Sequence, residues 1–498
     1  MSILVVTLTL IIGYLAIVFI QKRKAIVQHL RIRRALEQFP CPPKHWLLGN
    51  LVLLGKPDER HIQLKEHYVK SFKTCSVYWL SIFPILSINH SKAAKAIIKA
   101  SVPKGSWIYA WVRPWLGRGL IFENGNRWKR NRRLLTPSFH YERLQSYLTV
   151  FNQCTDTIIQ KWTERSQNNQ SFNEFEDLTL LSFDSLLQCA FSVKIHCQTS
   201  GKNHPYVAAI HRLTRLITDR AFTLLHYIEW IYRLSSKGRE FSQLCHFVHQ
   251  FVEEIIEKRK KELENQEQNN RKEHYDFLDV LLTGRDEDGN GLTVQEIRDE
   301  VDTFMFAGHD TTASALSWTF YCLAKYPHYQ EKVRREVDVF MSHKNDVEWN
   351  DLSEMNYTTM CIKEALRLYT VVPVVERRMD QDMIIDGKLV PSGTIINLEL
   401  YCICHREESW PNPNDYDPDR FSIENINNRD AFEYLPFSAG QRNCIGQQFA
   451  MNEIKVVVAK IIHHFYLEID PNYDVKPYHS IVNQTETGLW IKAKKRYF

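Results

Sequence analysis

One long helical segment in the second half of the chain constrains the fold more than any other feature. Thr293 and Glu296 form a capping box that starts this helix, and Pro327 ends it. At about 1.5 Å per residue the segment is roughly 50 Å long, so it has to cross the whole folded body. We predict that it is the longest helix of the chain and that the fold is built around it.

The middle of this helix carries a glycine and several polar residues, with the sequence AGHDTT over residues 307–312. Spacings of three and four residues place four side chains on one face, namely Phe304, Ala307, Gly308 and Thr311. Gly308 destabilises a helix interior by about 1 kcal/mol relative to alanine, which suggests that some group approaches its backbone closely. This feature alone leaves two interpretations open, a functional face or an ordinary core helix with one small residue.

The rest of the chain favours one mainly α-helical domain with small β-sheets, over residues 46–498. Most segments show apolar residues at helical spacing, and three polar breaks predict solvated loops, at Gln198–His204, Glu262–His274 and Ser342–Asp346. Asp386-Gly387, within Met383–Val390, predicts a tight hairpin between two strands.

The N-terminus is far more apolar than the rest. Ile3–Ile20 is uncharged and long enough to cross most of a bilayer, which predicts a transmembrane anchor over residues 1–21. A cleaved signal peptide is the alternative, but no basic region precedes the stretch and no small-residue cleavage site follows it. The basic residues between Lys22 and Arg34 place the bulk of the chain in the cytosol by the positive-inside rule. Because the prolines of residues 40–43 stop any helix, we predict a stiff, basic and Pro-rich hinge over residues 22–45.

Charge and cysteine usage exclude two other classes of protein. The 63 Lys and Arg residues nearly balance the 58 Asp and Glu residues, and no long basic stripe is present, so a nucleic-acid partner is not predicted. The 11 cysteines form no closely spaced framework and no CxxC pair, so we expect reduced thiols in a cytosolic compartment.

Cys444 lies in a sequence that favours metal ligation. It is flanked by glycines at Gly440 and Gly446, and residues 447–463 then show helical spacing. Glycines let the chain turn tightly around the sulfur, and the positive end of the following helix favours a thiolate. A thiolate is a strong donor to iron and promotes O–O cleavage. A buried structural cysteine is the commoner role of this residue, but the ten-residue pattern with Arg442 argues against it.

Residues 437–446 match the pattern FxxGxRxCxG, and the chain thereby resembles the cytochrome P450 superfamily, in which this pattern binds haem. The resemblance implies that Phe437 and Gly440 contact the haem and that Cys444 is the axial ligand of its iron. It also implies a fold that is mainly helical with small sheets.

Further motifs of the superfamily follow in the right order. Glu364 and Arg367 match its ExxR pair, and Arg420 lies in a segment similar to the one whose arginine completes a buried ion triad. The spacing of three residues places Glu364 and Arg367 on one helix face, where they can pair. Breaking such a buried triad is expected to destabilise the fold by several kcal/mol.

The resemblance also implies the residues that hold the haem propionates. Trp128 and Arg132 match the WxxxR pattern that hydrogen-bonds one propionate, and Arg377 and Arg442 correspond to further propionate partners. An arginine fork suits a carboxylate well, although a solvent-facing arginine remains the alternative for Arg377.

Within the long helix, Asp310 and Thr311 resemble the acid and alcohol pair that delivers protons in monooxygenases of the superfamily. Finer similarity, over segments such as residues 132–140 and 302–306, resembles family 4, the fatty-acid and eicosanoid ω-hydroxylases of animals. Many members of that family carry a haem-linked glutamate at the position of Ala307. Since alanine has no carboxylate, we expect a non-covalent haem b, and selectivity for the terminal carbon is open.

The resemblance implies an NADPH- and O2-dependent hydroxylase of fatty acids or eicosanoids in the endoplasmic reticulum membrane, with its catalytic domain in the cytosol. NADPH–cytochrome P450 reductase is the expected electron donor, and cytochrome b5 is an additional partner. The basic patch that docks the reductase is expected to include Lys129, Arg130 and Arg133. The alternatives are a hydroxylase of other lipids or of xenobiotics, a haem-binding sensor or carrier without turnover, and a non-haem membrane scaffold.

Overall fold

The computed structural model describes residues 13, 17, 23–55, 58–105, 107–199, 204–268 and 276–497. The described chain is mainly helical with small β-sheets, which confirms the predicted fold class. No helix among these residues is both long enough and apolar enough to span a membrane. The predicted transmembrane anchor, residues 1–21, lies outside the described residues except for Gly13 and Ile17.

The helical segments in the first half are α1 (residues 23–36), α2 (Leu51–Leu54), α3 (Glu59–Ser71), α4 (Ser91–Lys99), α5 (Trp107–Leu116), α6 (Gly125–Leu135), α7 (Tyr141–Gln167), α8 (Glu174–Phe191), α9 (Pro205–Ala221), α10 (Glu229–Leu234) and α11 (Ser236–Gln268). Those in the second half are α12 (Phe277–Thr283), α13 (Val294–Lys325), α14 (Pro327–Met341), α15 (Asp351–Glu354), α16 (Asn356–Leu368), α17 (Leu400–Cys404), α18 (Ile423–Ile426) and α19 (Gln447–His464). Short 3-10 turns cover Thr136–Phe139, Leu224–Tyr227, Pro418–Phe421, Ala431–Glu433 and Gly440–Arg442.

The strands are β1 (Cys75–Leu80), β2 (Phe83–Ile88), β3 (Phe172–Asn173), β4 (Val374–Arg378), β5 (Met383–Ile385), β6 (Lys388–Val390), β7 (Ile395–Glu399), β8 (Phe465–Ile469), β9 (Pro477–His479), β10 (Asn483–Thr485) and β11 (Trp490–Lys495). The largest sheet has the order β1-β2-β7-β4, and β2 and β7 are parallel with Ile85 opposite Ile395. A second sheet has the order β3-β11-β8, and β9–β10 and β5–β6 are two-stranded. The β5–β6 pair confirms the predicted hairpin, with positive φ at Asp386 and Gly387.

The long predicted helix is α13, and it begins with the predicted capping box. Thr293 accepts a hydrogen bond from the Glu296 N–H, and the Glu296 side chain accepts one from the Thr293 N–H. The prediction that it is the longest helix is wrong, because α11 has 33 residues and α13 has 32.

Part of a predicted loop forms the end of α11, which continues through Gln268. The prediction of a loop is therefore wrong for residues 262–268, and residues 269–275 lie outside the described chain. The segment is rich in Glu, Gln and Lys, which have good helix propensity and need no packing partner on an exposed face. The loop predicted over Ser342–Asp346 is confirmed.

The segment predicted as a stiff, basic and Pro-rich hinge includes a helix that contacts the globule. Residues 23–36 are helical, and Leu36 and Phe39 are buried beside the four-stranded sheet. Gln28 donates a hydrogen bond to the Ser392 carbonyl oxygen, and Arg31 pairs with Asp382. Ala35 and Leu36 at the end of α1 make the buried contacts, whereas Ile26, Val27 and Leu30 stay exposed.

The main core is formed by the central helices, with α13 crossing it. Helix α13 packs along α8, and both belong to the hydrophobic cluster that also contains apolar residues of α7 and α19. The predicted close approach to Gly308 is confirmed at this contact, since a Cβ added there would lie 2.7 Å from Leu186 Cδ1. The small residue at position 308 therefore serves helix packing.

Candidate active site

The loop before α19 presents Cys444 at its end. The Cys444 N–H donates a hydrogen bond to the Phe437 carbonyl oxygen at 2.9 Å, which closes the loop. Gly440 has a φ of 71°, and a Cβ there would lie 2.9 Å from Ile98 Cγ2. A side chain at position 440 would therefore suffer both backbone strain and a close contact, which explains the glycine.

The Cys444 thiol is open to solvent although protein surrounds it. Cys444 is exposed, whereas Cys41 is half-buried and the other nine cysteines are buried. Burial is the largest influence on the Cys444 pKa and raises it, while the Gly446 N–H and the side chains of Arg132 and Lys104 act to lower it. The protein alone therefore does not favour the thiolate that the sequence predicted. A bound metal cation is the group that would do so.

Arg132 connects α6 to the cysteine loop. Its Nη1 donates to the carbonyl oxygen of Asn443 at 3.0 Å, and its Nη2 donates to Asn443 Oδ1 at 2.8 Å. Asn131 on the same helix donates to Glu300 of α13 at 2.8 Å. Helix α6 thus holds together the cysteine loop and the long central helix.

Arg442 makes contacts that differ from the simple expectation of a propionate partner. It donates to the Glu123 carbonyl oxygen at 2.6 Å and to Asn124 Oδ1 at 2.7 Å. Its guanidinium carbon lies 3.9 Å from the centre of the Trp128 ring. The arginine and tryptophan are therefore brought together, and Trp128 is buried beneath the cation.

Three arginines lie around Lys104, which acts on Cys444 and was missed in the sequence. Arg377 is buried. The pKa of Lys104 is held well below its usual value by burial and by the charges of Arg377, Arg442 and Arg132. Among the described residues none of these four basic side chains forms a salt bridge, but Glu376 acts electrostatically on Arg377 and Glu123 on Arg442. No motif marks Lys104. Its place follows from the hydrogen bonds between its backbone and Asn124, at 3.1 and 2.6 Å.

This group of residues fits a haem. Cationic side chains without acidic partners are costly to bury together, and they call for an anionic ligand. A haem carries two propionates and an iron that accepts a thiolate, so it matches both the unpaired cations and the open Cys444 sulfur. The donor set is therefore the one that a dianionic iron porphyrin requires.

Glu364, Arg367 and Arg420 form a buried ion triad. Arg367 Nε and Nη2 donate to the two oxygens of Glu364 at 2.7 and 2.8 Å, and Arg420 Nε lies 3.3 Å from Glu364 Oε1. Arg367 also donates to the carbonyl oxygens of Cys404 and Asp415, and Glu364 accepts from the Asp417 N–H. The triad ties α16 to the chain segments that precede the cysteine loop.

One face in the middle of α13, here called the uncovered face, is covered by protein only in part, since Phe304 packs against Phe277 and Gly308 against Leu186. Between residues 299 and 324, the described side chains are buried except for four that share a face, namely Phe304, Ala307, Gly308 and Thr311. Helical spacing had grouped the same four residues. Their partial exposure in the centre of the fold indicates that this face borders an interior space.

The predicted acid and alcohol do not hydrogen-bond to each other. The Thr311 hydroxyl donates to the Ala307 carbonyl oxygen at 2.7 Å. The Asp310 carboxylate is fully buried and contacts His211 Nε2 at 3.3 Å and Gln484 Nε2 at 3.2 Å. Burial favours its neutral form, but these partners prevail and hold the pKa of Asp310 below its usual value. No sequence pattern pointed to His211 or Gln484.

The predicted docking patch is largely neutralised. Arg130 pairs with Glu296, and Arg133 pairs with Glu287 at 2.5 Å. Lys129 is exposed. Two of the three positive charges are therefore compensated locally, which weakens the patch as a binding surface for an acidic partner.

Comparison with known proteins agrees with this site. The profile of the cytochrome P450 family matches residues 39–491. The chain is 40% identical over 475 residues to an ultra-long-chain fatty acid omega-hydroxylase of Homo sapiens, covering 93% of this chain and 89% of that relative. It is 39% identical to cytochrome P450 4A6 of Oryctolagus cuniculus, covering 93% and 91%, and 36% identical to cytochrome P450 4B1 of Rattus norvegicus, covering 96% and 94%. On these similarities, the chain belongs to the cytochrome P450 family of haem-dependent monooxygenases.

Proposed function

We propose that this protein hydroxylates fatty acids or eicosanoids at or near the ω carbon, using O2 and electrons from NADPH. The observation that carries the proposal is the exposed Cys444 thiol near four basic side chains that form no salt bridge among the described residues. Similarity to a fatty acid omega-hydroxylase over most of both chains supports the substrate class. The second candidate is hydroxylation of another lipid or of a xenobiotic, because the uncovered face of α13 does not select one substrate head group over another.

The residues around Cys444 would hold a haem b. Cys444 would ligate the iron, and Phe437 and Gly440 shape the loop that carries it. Arg132, Arg377 and Arg442, together with Trp128 and Lys104, would bind the propionates. When bound, the haem activates dioxygen and transfers one oxygen atom to a C–H bond.

The chain's own polar residues would supply protons in that reaction. Thr311 lies on the uncovered face of α13, and the neighbouring Asp310 carboxylate is held away from it by His211 and Gln484. A buried carboxylate behind a hydroxyl restricts proton entry to one route. The surrounding apolar core excludes bulk water from other directions.

We further propose that the haem is not covalently attached. Ala307 lies on the same uncovered face as Thr311, and its methyl side chain has no group that can form an ester. A glutamate at this position would also narrow the space beside this face of α13. Alanine therefore leaves room for attack at carbons next to the terminal one.

The substrate class is tested by turnover of the purified full chain with reductase and NADPH. A series of saturated and polyunsaturated fatty acids is supplied, and the products are identified by mass spectrometry. The expected result is hydroxylation at the terminal carbon and its neighbours. Absence of product from every fatty acid, with turnover of a xenobiotic panel, would favour the second candidate.

Cofactor ligation is tested with Cys444→Ala and a matched variant, Cys41→Ala, at the half-buried cysteine. The reduced carbon monoxide complex of the wild type and of Cys41→Ala is expected to give the spectrum of a thiolate ligand. Cys444→Ala is expected to lose haem or to lack that spectrum. An unchanged spectrum in Cys444→Ala would refute the assignment.

We also propose that the protein is held at the endoplasmic reticulum membrane with its globule in the cytosol, where reductase and cytochrome b5 can reach it. Exposed apolar side chains of α1, which follows the predicted anchor in the sequence, lie near those of the β1–β2 turn, since His29 packs against Phe83 and the Ser81 hydroxyl donates to the Leu47 carbonyl oxygen. This N-terminal apolar surface comprises Ile26, Val27, Leu30, Leu47, Ile82 and Phe83. A patch of this kind next to an anchor suits the membrane interface.

Orientation is tested at the acceptor sites for N-glycosylation. Asn89 and Asn483 are buried and give no information, whereas Asn169 and Asn356 are exposed. We expect no glycosidase-sensitive mass shift at Asn169 or Asn356 in cells. An acceptor site in an added N-terminal extension serves as the positive control and is expected to be modified. A shift at either natural site would contradict the orientation.

A further inference from the structure

The Asp310 carboxylate has a single titratable contact. Among the described side chains, only His211 and Gln484 lie within hydrogen-bonding or ion-pairing distance of it. The Gln484 amide does not titrate. The carboxylate is fully buried in α13, so a proton that Asp310 gives up has to be replaced through His211 or through water.

His211 spans the distance from this buried carboxylate to the surface. Its Nε2 is buried and lies within ion-pairing distance of Asp310, 3.3 Å from Oδ1, but not in hydrogen-bonding geometry, while 31% of the side chain is exposed. Ala208 and Arg215, three residues before it and four after it on the same face of α9, are exposed to solvent. The other edge of the imidazole therefore faces outward.

We propose that His211 transfers protons from solvent to Asp310, and this inference rests on the proposed hydroxylase function. Hydroxylation consumes two protons, as R–H + O2 + 2 e− + 2 H+ gives R–OH + H2O, and the two electrons come from NADPH through the reductase. His211 takes a proton from water at Nδ1 and releases its Nε2 proton to the Asp310 carboxylate. Exchange between the two ring tautomers then restores the starting state.

Among the described groups that surround His211, no other one can carry protons from solvent to Asp310. From α13 it faces Asp310 and the buried His309, whose Nδ1 lies 2.5 Å from the Met305 carbonyl oxygen. From α8 it faces the Phe175 ring, at 5.9 Å between centroids, which carries no charge. His309 is fully buried and so does not exchange protons with solvent directly.

The test compares His211→Gln and His211→Ala with the wild type. Glutamine keeps a hydrogen-bond donor for Asp310 but does not titrate, and alanine removes both. The rate of product formation with NADPH is expected to fall by about a hundredfold in both variants, the low end for a lost proton donor. Hydrogen peroxide release per NADPH is expected to rise. Full recovery by glutamine would show that His211 only positions Asp310 and would overturn the proposal.

A peroxide-driven reaction separates proton supply from damage to the site. Hydrogen peroxide brings its own electrons and protons, so both variants are expected to form product from it at the wild-type rate. Loss of the peroxide-driven reaction in both would count against a role confined to proton supply. A wild type that forms no hydroxylated product by either route would instead refute the proposed function.

His204→Gln is the matched control, because His204 directly precedes the same helix and packs against Phe183 and Phe251 without reaching Asp310. We expect its NADPH-driven rate to equal that of the wild type. A second readout is the melting temperature of the purified holoprotein in a double-mutant cycle of His211→Gln and Asp310→Asn. Non-additive shifts are expected for side chains in contact, and additive shifts would remove the geometric basis of the proposal.

Discussion

Arg132 donates two hydrogen bonds, of 3.0 and 2.8 Å, to Asn443, the residue directly before Cys444. One bond reaches the backbone and the other the side chain, so the guanidinium fork sets the orientation of the cysteine loop relative to α6. This contact is separate from any role of the arginine toward the haem.

Arg132→Lys is expected to loosen the cysteine loop, because lysine keeps the charge but lacks the planar fork. The free energy of unfolding of the holoprotein should fall by about 1 to 2 kcal/mol, measured by urea denaturation followed through haem absorbance. Arg133→Lys, at the exposed pair with Glu287, should change it by less than about 1 kcal/mol. Equal effects in the two variants would contradict the role of the fork.

Glu364→Gln should destabilise the fold strongly. The change leaves Arg367 and Arg420 buried without a carboxylate, and removal of one partner from a buried ion pair costs about 3 to 5 kcal/mol. Thermal denaturation of the purified protein, or failure to obtain it folded, checks the prediction. The control is Glu37→Gln at the exposed pair with Arg33, which should leave the melting temperature almost unchanged.

Ala307→Glu should create covalently bound haem during turnover. The uncovered face of α13 includes position 307, and a carboxylate there would reach a haem methyl if this face borders the haem. After turnover with reductase and NADPH, acid and organic extraction should leave a fraction of the haem on the variant, and its products should shift toward the terminal carbon.

Two controls delimit the Ala307→Glu prediction. Wild-type protein should release all its haem, and Val294→Glu, at the exposed first turn of the same helix, should do so as well. An active Ala307→Glu variant that retains no haem would show that position 307 lies away from the cofactor.

Glu453 should make stability depend on pH. Glu453 of α19 is fully buried, and burial raises its pKa from 4.5 to about 8, while the nearby Ser185 hydroxyl acts in the opposite direction. The native state then binds more protons than the unfolded state between these values. The stabilisation from the protonated form is complete at low pH and is lost as the pH rises through about 8.

Between about pH 6 and pH 9 the wild type should therefore lose roughly 3 kcal/mol relative to Glu453→Gln. Urea denaturation at each pH checks this difference. Glu468→Gln, at an exposed ion pair with Lys494, should follow the wild-type profile. Parallel profiles of Glu453→Gln and the wild type would contradict the prediction.

The sequence by itself determined the features that depend on residues close together in the chain. The capping box of Thr293 and Glu296, the hairpin turn at Asp386-Gly387 and the tight loop around Cys444 each follow from conformational preferences and hydrogen bonds within a few residues. The ExxR spacing also made a local pair of Glu364 and Arg367 predictable.

Only the tertiary structure decided which distant groups meet. Lys104 joins the cations near Cys444, His211 reaches Asp310, Arg130 is neutralised by Glu296, and Gly308 packs against Leu186. Each of these contacts joins different elements of the chain. Their partners depend on how helices cross and on which faces become buried, and the local spacing of residues does not specify either.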